Sequence, residues 1–143
     1  MRILGIDYGR KRIGLSLSDA FGWTAQPCGY FENGPALADK LKGMVRDQDV
    51  AEIVVGRPLS MSGRPSEMTK EAEAFARDLR THFPSLAIHL WDERLSTAQA
   101  ERLLVDADVR RAKRREVRDA MAASILLQAF LNSRTSRSDG DVQ

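Results

Sequence analysis

At 143 residues, 43% of them hydrophobic and 29% charged, the chain has the size and balance of one compact domain and little room for a second core. No apolar run approaches the roughly 20 residues of a membrane span, and the N-terminus enters a strand pattern directly, so neither a membrane anchor nor a signal peptide is expected and a cytoplasmic setting follows. The single cysteine, Cys28, excludes an internal disulfide and a multi-cysteine zinc site, and a net charge of +2 is too small to indicate a polyanionic partner by itself.

The stretch GIDYGRKRIGLSLSD organises the chain. Ile3, Leu4 and Ile6 form an apolar run that ends in Asp7, then a tight turn carries Gly9, Arg10, Lys11 and Arg12. A second run alternates Ile13, Leu15 and Leu17 with Gly14, Ser16 and Ser18 and ends in Asp19. This pattern predicts a buried strand, a basic turn and an antiparallel strand with one polar face. A short third strand is expected around Cys28, Tyr30 and Phe31.

A helix opening near Pro35 and ending near Asp49 follows, with Leu37, Leu41, Met44 and Val45 at helical spacing. Glu52–Gly56 (EIVVG) reads as a central parallel strand. The broken, polar segment RPLSMSGRPSE beyond it is a candidate substrate-facing loop, because open α/β sheets bind ligands beyond the carboxyl ends of their strands. Ser66 is the expected N-cap of a helix through Leu79 that closes before Pro84. Ala87–Trp91 (AIHLW) is a further strand ending in two acids, Asp92 and Glu93. Ser96 to Gln99 matches a capping box for a helix through Leu103 and Leu104.

Val109–Val117 reads as a basic hinge into a last helix from Arg118 to about Ser133. Asp119 continues the stripe of Ala122, Ala123, Leu126 and Phe130, and a buried acid of this kind needs a positive partner. One domain over residues 1–133 is expected, with a disordered tail at 134–143.

Three acids therefore share a feature: Asp7 ends one strand, Asp92 or Glu93 ends another, and Asp119 opens an inward-facing helix. Neighbouring strand ends lie about 5 Å apart, so the carboxylates can converge. Carboxylates that close repel one another and need a cation, and oxygen-only ligands suit Mg²⁺ or Mn²⁺, the ions of metal-assisted phosphodiester hydrolysis. The arginine-rich clusters at Arg10–Arg12 and Arg110–Arg118 suit a phosphate backbone. Each acid also has a structural role open to it: Asp7 in its turn, Asp92 or Glu93 with Arg94, and Asp119 at a helix start. Asp19 is assigned to a strand end. His82 and His89 are too isolated for a dyad, and Ser16, Ser18 and Ser60 have no base at a recognisable spacing.

Together, GIDYGRKRIGLSLSD, VVGRPLSMSG, FARDL, DERLSTAQA and DAMAASILL resemble the bacterial family of pre-16S ribosomal RNA nucleases, also called Holliday junction resolvases. The likeness runs from about Arg2 to Leu131. It implies an α/β, RNase H-like fold: a mixed five-stranded sheet, its first three strands antiparallel, with helices on both faces. It also implies a catalytic and metal-binding set of Asp7, Glu93 and Asp119 around Mg²⁺ or Mn²⁺, with Glu93 chosen over Asp92 by its place in DERLST. The nucleic-acid contacts expected are Arg10, Lys11, Arg12, Arg57, Arg94, Lys113, Arg114 and Arg115.

The implied partner is precursor ribosomal RNA, with ribosome association, or else branched DNA; either a monomer or a homodimer is compatible. Arg57 stands where the family pattern has leucine in Gly-Leu-Pro, and MSGRPSE departs from Met-Asp-Gly, so the resemblance carries substrate contacts over to this loop least of all. Two other classes fit parts of the pattern. Asp-Tyr-Gly in a hairpin also resembles the first phosphate loop of actin-like ATPases, which need a second domain, and a non-catalytic RNA-binding module needs no acid set.

Overall fold

The computed structural model describes residues 1–60, 62–95 and 111–142, with backbone alone at 95, 111–117 and 136–142. Five strands form one sheet in the order β3-β2-β1-β4-β5: β1 (Arg2–Asp7), β2 (Arg12–Ser18), β3 (Ala25–Glu32), β4 (Val50–Arg57) and β5 (Ala87–Asp92). The first three are antiparallel neighbours, and β4 and β5 run parallel to β1. Helices α1 (Leu37–Asp47) and α2 (Glu67–His82) and the long helix α3 (Arg111–Val142) complete the described elements, with a 3-10 turn at Glu93–Leu95. Among the described residues no helix is long and apolar enough to cross a membrane.

Strand periodicity assigns the two faces of the sheet. Leu4, Ile6, Ile13, Leu15, Leu17, Ile53 and Val55 pack with Leu37 and Leu41 of α1 and with Ala76 and Leu79 of α2. The opposite face carries Ile3 and Val54 against Leu126, Leu127, Phe130 and Leu131 of α3. Small residues let α3 lie close. A Cβ on Gly5 would meet Leu127 Cβ at 2.8 Å, one on Gly14 would fall on the main chain of Asp119, and Ser16 Oγ donates to the Ala123 carbonyl at 2.8 Å. Such glycines inside a strand mark places where another backbone comes near.

The last helix differs from expectation at both ends. Residues 111–117 of the hinge predicted over Val109–Val117 are its opening turns, because RAKRREV holds helix-favouring residues and no glycine or proline. At the other end the helix is assigned through Val142, where a disordered tail was expected from residue 134. Its near end is anchored: Arg134 binds Glu52 of β4 through two bonds of 2.7 and 2.5 Å, and Thr135 Oγ1 donates to the Leu131 carbonyl. Burial along α3 is confined to one side. Asp119, Ala120, Ala122, Ala123, Leu126, Leu127, Phe130 and Leu131 are buried, whereas Met121, Ser124, Ile125, Gln128 and Ala129 are half-buried.

Pro35 precedes α1, whose N-cap is Ala36, instead of opening it. Ser66 does cap α2, in a box closed by Thr69, whose hydroxyl also reaches the Pro58 carbonyl. The capping box predicted at Ser96–Gln99 and its helix lie outside the described residues. Asp19 accepts from the Trp23 and Thr24 amides at 2.7 and 3.2 Å, which holds the β2–β3 turn and lowers its pKa.

Glu52 is the charged lock between the sheet and the far end of α3. Arg134, opposed by burial and aided by His89 Nε2 at 3.0 Å, brings its pKa down from 4.5 to about 2. A carboxylate with a depressed folded-state pKa adds stability above its unfolded pKa and loses it as pH falls through the folded value. Thermal stability is therefore expected to fall between about pH 4.5 and 2, and Glu52→Gln should flatten that part of the profile. Thermal unfolding followed by circular dichroism across this range checks the difference.

Candidate active site

The parity that puts Ile3 and Gly5 under α3 puts Asp7 there too, at the end of β1, where it is only 5% exposed. Its cross-strand partner is Gly14, over which the Asp119 main chain sits, so β1 and α3 deliver two acids to neighbouring points. Asp119 is 9% exposed and accepts from Arg12 Nε at 3.2 Å, with Arg118 Nε at 3.5 Å. Arg12 thus provides the positive charge that a buried acid requires. Asp7 and Asp119 share a groove of about 480 Å³ with the Tyr8–Arg12 turn, Met68 of α2 and Arg118.

Glu93 follows β5 and is 2% exposed. Its carboxylate lies over Gly56, where an added Cβ would meet Glu93 Oε1 at 2.6 Å and Leu126 Cδ2 at 3.0 Å. It therefore lies on the α3 face of the sheet with the other two acids, although it is not part of the groove's lining. Asp92 takes a different path. Arg94 binds it through Nη2 at 2.7 Å and Nε at 3.1 Å, and this pairing lowers its pKa.

Gly56→Ala is expected to slow any reaction that uses Glu93 about 100-fold, since the new methyl must push the carboxylate by a large part of an ångström. Steady-state cleavage rates compared with thermal unfolding midpoints separate this from a loss of folding.

Three carboxylates without thiol or imidazole make a hard-oxygen set of the kind that Mg²⁺ or Mn²⁺ prefers. Among the described residues no three acid, histidine or cysteine side chains are gathered closely enough to hold an ion. Arg12 occupies Oδ2 of Asp119, so an ion binding this carboxylate would meet Oδ1 or share Oδ2 with Arg12.

The candidate backbone contacts are mostly engaged by acids. Arg10 binds Glu71, Arg57 binds Glu73 and Arg94 binds Asp92, while Lys11 is exposed at the turn. The side chains of Lys113, Arg114 and Arg115 lie outside the described residues. The loop beyond β4 turns at Gly63, whose φ is +85°, close to the Arg94 guanidinium. Glu71 and Glu73 were missed from sequence, as were the glycine seats. Gly14 and Gly56 carry a usable signal, glycine interrupting a strand pattern; the two glutamates carry none, since their partners are distant in sequence.

A mixed sheet with this strand order, covered by helices on both faces, is the RNase H-like fold. T. thermophilus RuvC in complex with a Holliday junction substrate aligns with a TM-score of 0.57 over 94% of this chain and 96% of that one, at 14% identity. A second Thermus thermophilus RuvC structure gives 0.56 over 95% and 97%, at 15% identity. At the family level, residues 1–133 match the RuvX model, described as Holliday junction resolvase, and the chain belongs to that family. A protein of Geobacillus thermodenitrificans is 46% identical over 138 residues, covering 94% of this chain and 99% of the relative. One of Pelotomaculum thermopropionicum is 46% identical over 136 residues, covering 93% and 88%. Both carry the name "Putative pre-16S rRNA nuclease".

Proposed function

We propose that the chain is a divalent-metal-dependent endonuclease that hydrolyses phosphodiester bonds at the 5′ end of precursor 16S ribosomal RNA. The observation that carries this reading is the delivery of Asp7, Glu93 and Asp119 to one face of the sheet from three separate elements, beside a groove edged by Arg10, Lys11 and Arg12. The names of the full-length relatives support the substrate.

In this reading Asp7, Glu93 and Asp119 hold Mg²⁺ or Mn²⁺, which when bound lowers the pKa of an attacking water and offsets charge on the leaving oxygen. Their burial keeps bulk water from screening the charges. Lys11 and Arg12 bind the phosphodiester beside them, and Arg12 gains a phosphate partner as it leaves Asp119. Contacts with the maturing ribosomal subunit in the cytoplasm belong to the same reading.

Branched DNA is the second reading, favoured by the description of the family model. A junction resolvase must present two sites, so it requires a stable dimer. The test is a side-by-side assay of wild type and Asp7→Asn on precursor ribosomal RNA ends, single-stranded RNA and four-way DNA junctions, each with Mg²⁺, Mn²⁺ or Ca²⁺. Cleavage of the RNA end with Mg²⁺ or Mn²⁺, poor cleavage with Ca²⁺ and none by Asp7→Asn are the expected results. Junction cleavage by a dimer, with the RNA end left intact, would replace the first reading by the second.

A further inference from the structure

Among the described cations of the groove region, the arginines share one feature: each is already matched to a carboxylate. Two of those carboxylates come from one helix. Glu71 Oε2 and Oε1 accept from Arg10 Nε at 2.9 and 3.1 Å, and Glu73 Oε1 accepts from Arg57 Nε at 2.8 Å. On α2 these glutamates flank the buried stripe of Thr69, Ala72 and Ala76 on opposite sides. A single helix therefore reaches both the β1–β2 turn and the end of β4.

Both pairs are open to competition. Side-chain exposures are 59% and 36% for Arg10 and Glu71, and 35% and 30% for Arg57 and Glu73. Each glutamate is held through Nε, which occupies the side-on Nε/Nη edge without a full two-point fork, so a phosphate that engages both nitrogens of that edge can displace it. Two carboxylates held against the cations expected to meet a backbone occupy them in the manner of two phosphates.

We propose that Glu71, at the groove, and Glu73, at the end of β4, are internal competitors of substrate phosphates, lowering the affinity of this surface for nucleic acid at large so that a ligand spanning both places must displace both. This rests on the nuclease reading above. It assigns α2 a part in substrate selection in addition to covering the sheet.

The test is binding of a labelled single-stranded RNA of arbitrary sequence, measured by fluorescence anisotropy over a salt series, in the Asp7→Asn background to prevent cleavage. Glu71→Gln with Glu73→Gln is expected to tighten binding about tenfold, the combined worth of one exposed and one partly exposed pair. The plot of log affinity against log salt should steepen by about 1.4, which is about 0.7 for each cation returned to its solution counterions.

Asp78→Asn is the control. It removes one negative charge from the same helix, but Asp78 is exposed and lines the hollow beside Leu37 and Phe83 instead of the groove. A change below twofold is expected there. Unaltered or weaker binding by the double variant, or an equal gain per charge from Asp78→Asn, would overturn the proposal alone. Absence of RNA and junction-DNA binding by every variant would overturn the nuclease reading with it.

Discussion

Asp7→Asn is expected to reduce cleavage at least about a thousandfold while the protein remains folded. A metal site supplies several kcal/mol of transition-state stabilisation, and three decades of rate correspond to about 4 kcal/mol. Asparagine keeps the shape of the side chain at the end of β1 but removes the charge that would hold the ion. Asp119→Asn should lower the rate as far and differ in one respect. It deprives Arg12 of its 3.2 Å carboxylate partner, so stability should also drop, by about 1 kcal/mol for a partly exposed pair. Single-turnover cleavage rates and thermal unfolding on the same preparations check both. Cleavage at the wild-type rate by rigorously purified Asp7→Asn would refute the assigned chemistry.

Gly14→Val is expected to be the most damaging single change to the fold. Any Cβ at this position falls on the Asp119 main chain, which belongs to a helix and cannot turn aside as a side chain would. Either α3 lifts from β2 or the strand bends, and overpacking of this kind costs about 3 kcal/mol. For a domain of this size the unfolding midpoint should fall by about 10 °C. Gly22→Ala offers the contrast: its added Cβ meets nothing within 4 Å, and the cost comes from φ of +74° alone. Differential scanning calorimetry of the two variants separates a steric clash from backbone strain. A midpoint for Gly14→Val within about 2 °C of wild type would mean that α3 does not press on β2 as described.

Much of the arrangement was legible because it depends on short-range periodicity. The parity of Ile3, Gly5 and Asp7 is readable without coordinates, as is the stripe of Asp119, Ala122, Ala123, Leu126 and Phe130. Together these mark an acid at the end of β1 and an acid on the inward face of the last helix as groups able to converge. The choice between Asp92 and Glu93 was not legible from alternation, since strand pairing ends at Asp92 and the 3-10 turn begins at Glu93. Only the family motif indicated Glu93.

The start of α3 was misread because a run of positive charge looks like a boundary, whereas helix propensity is indifferent to the sign of arginine and lysine. Nor could the charge pattern reveal that Arg10 and Arg57 lie beside α2. Those pairings depend on how the helix crosses the sheet, which no local sequence pattern encodes. Counting basic residues therefore overstates how much unpaired positive charge the groove presents.

The division of the acids among β1, the end of β5 and α3 also imposes an order in time. During synthesis Asp7 emerges early, but its counterpart at 119 cannot join it until the final helix has been translated and has docked on the glycines of the sheet. A chain whose α3 has not yet docked on the sheet thus lacks one of the three carboxylates, and the set is complete only when that helix lies on Gly5 and Gly14.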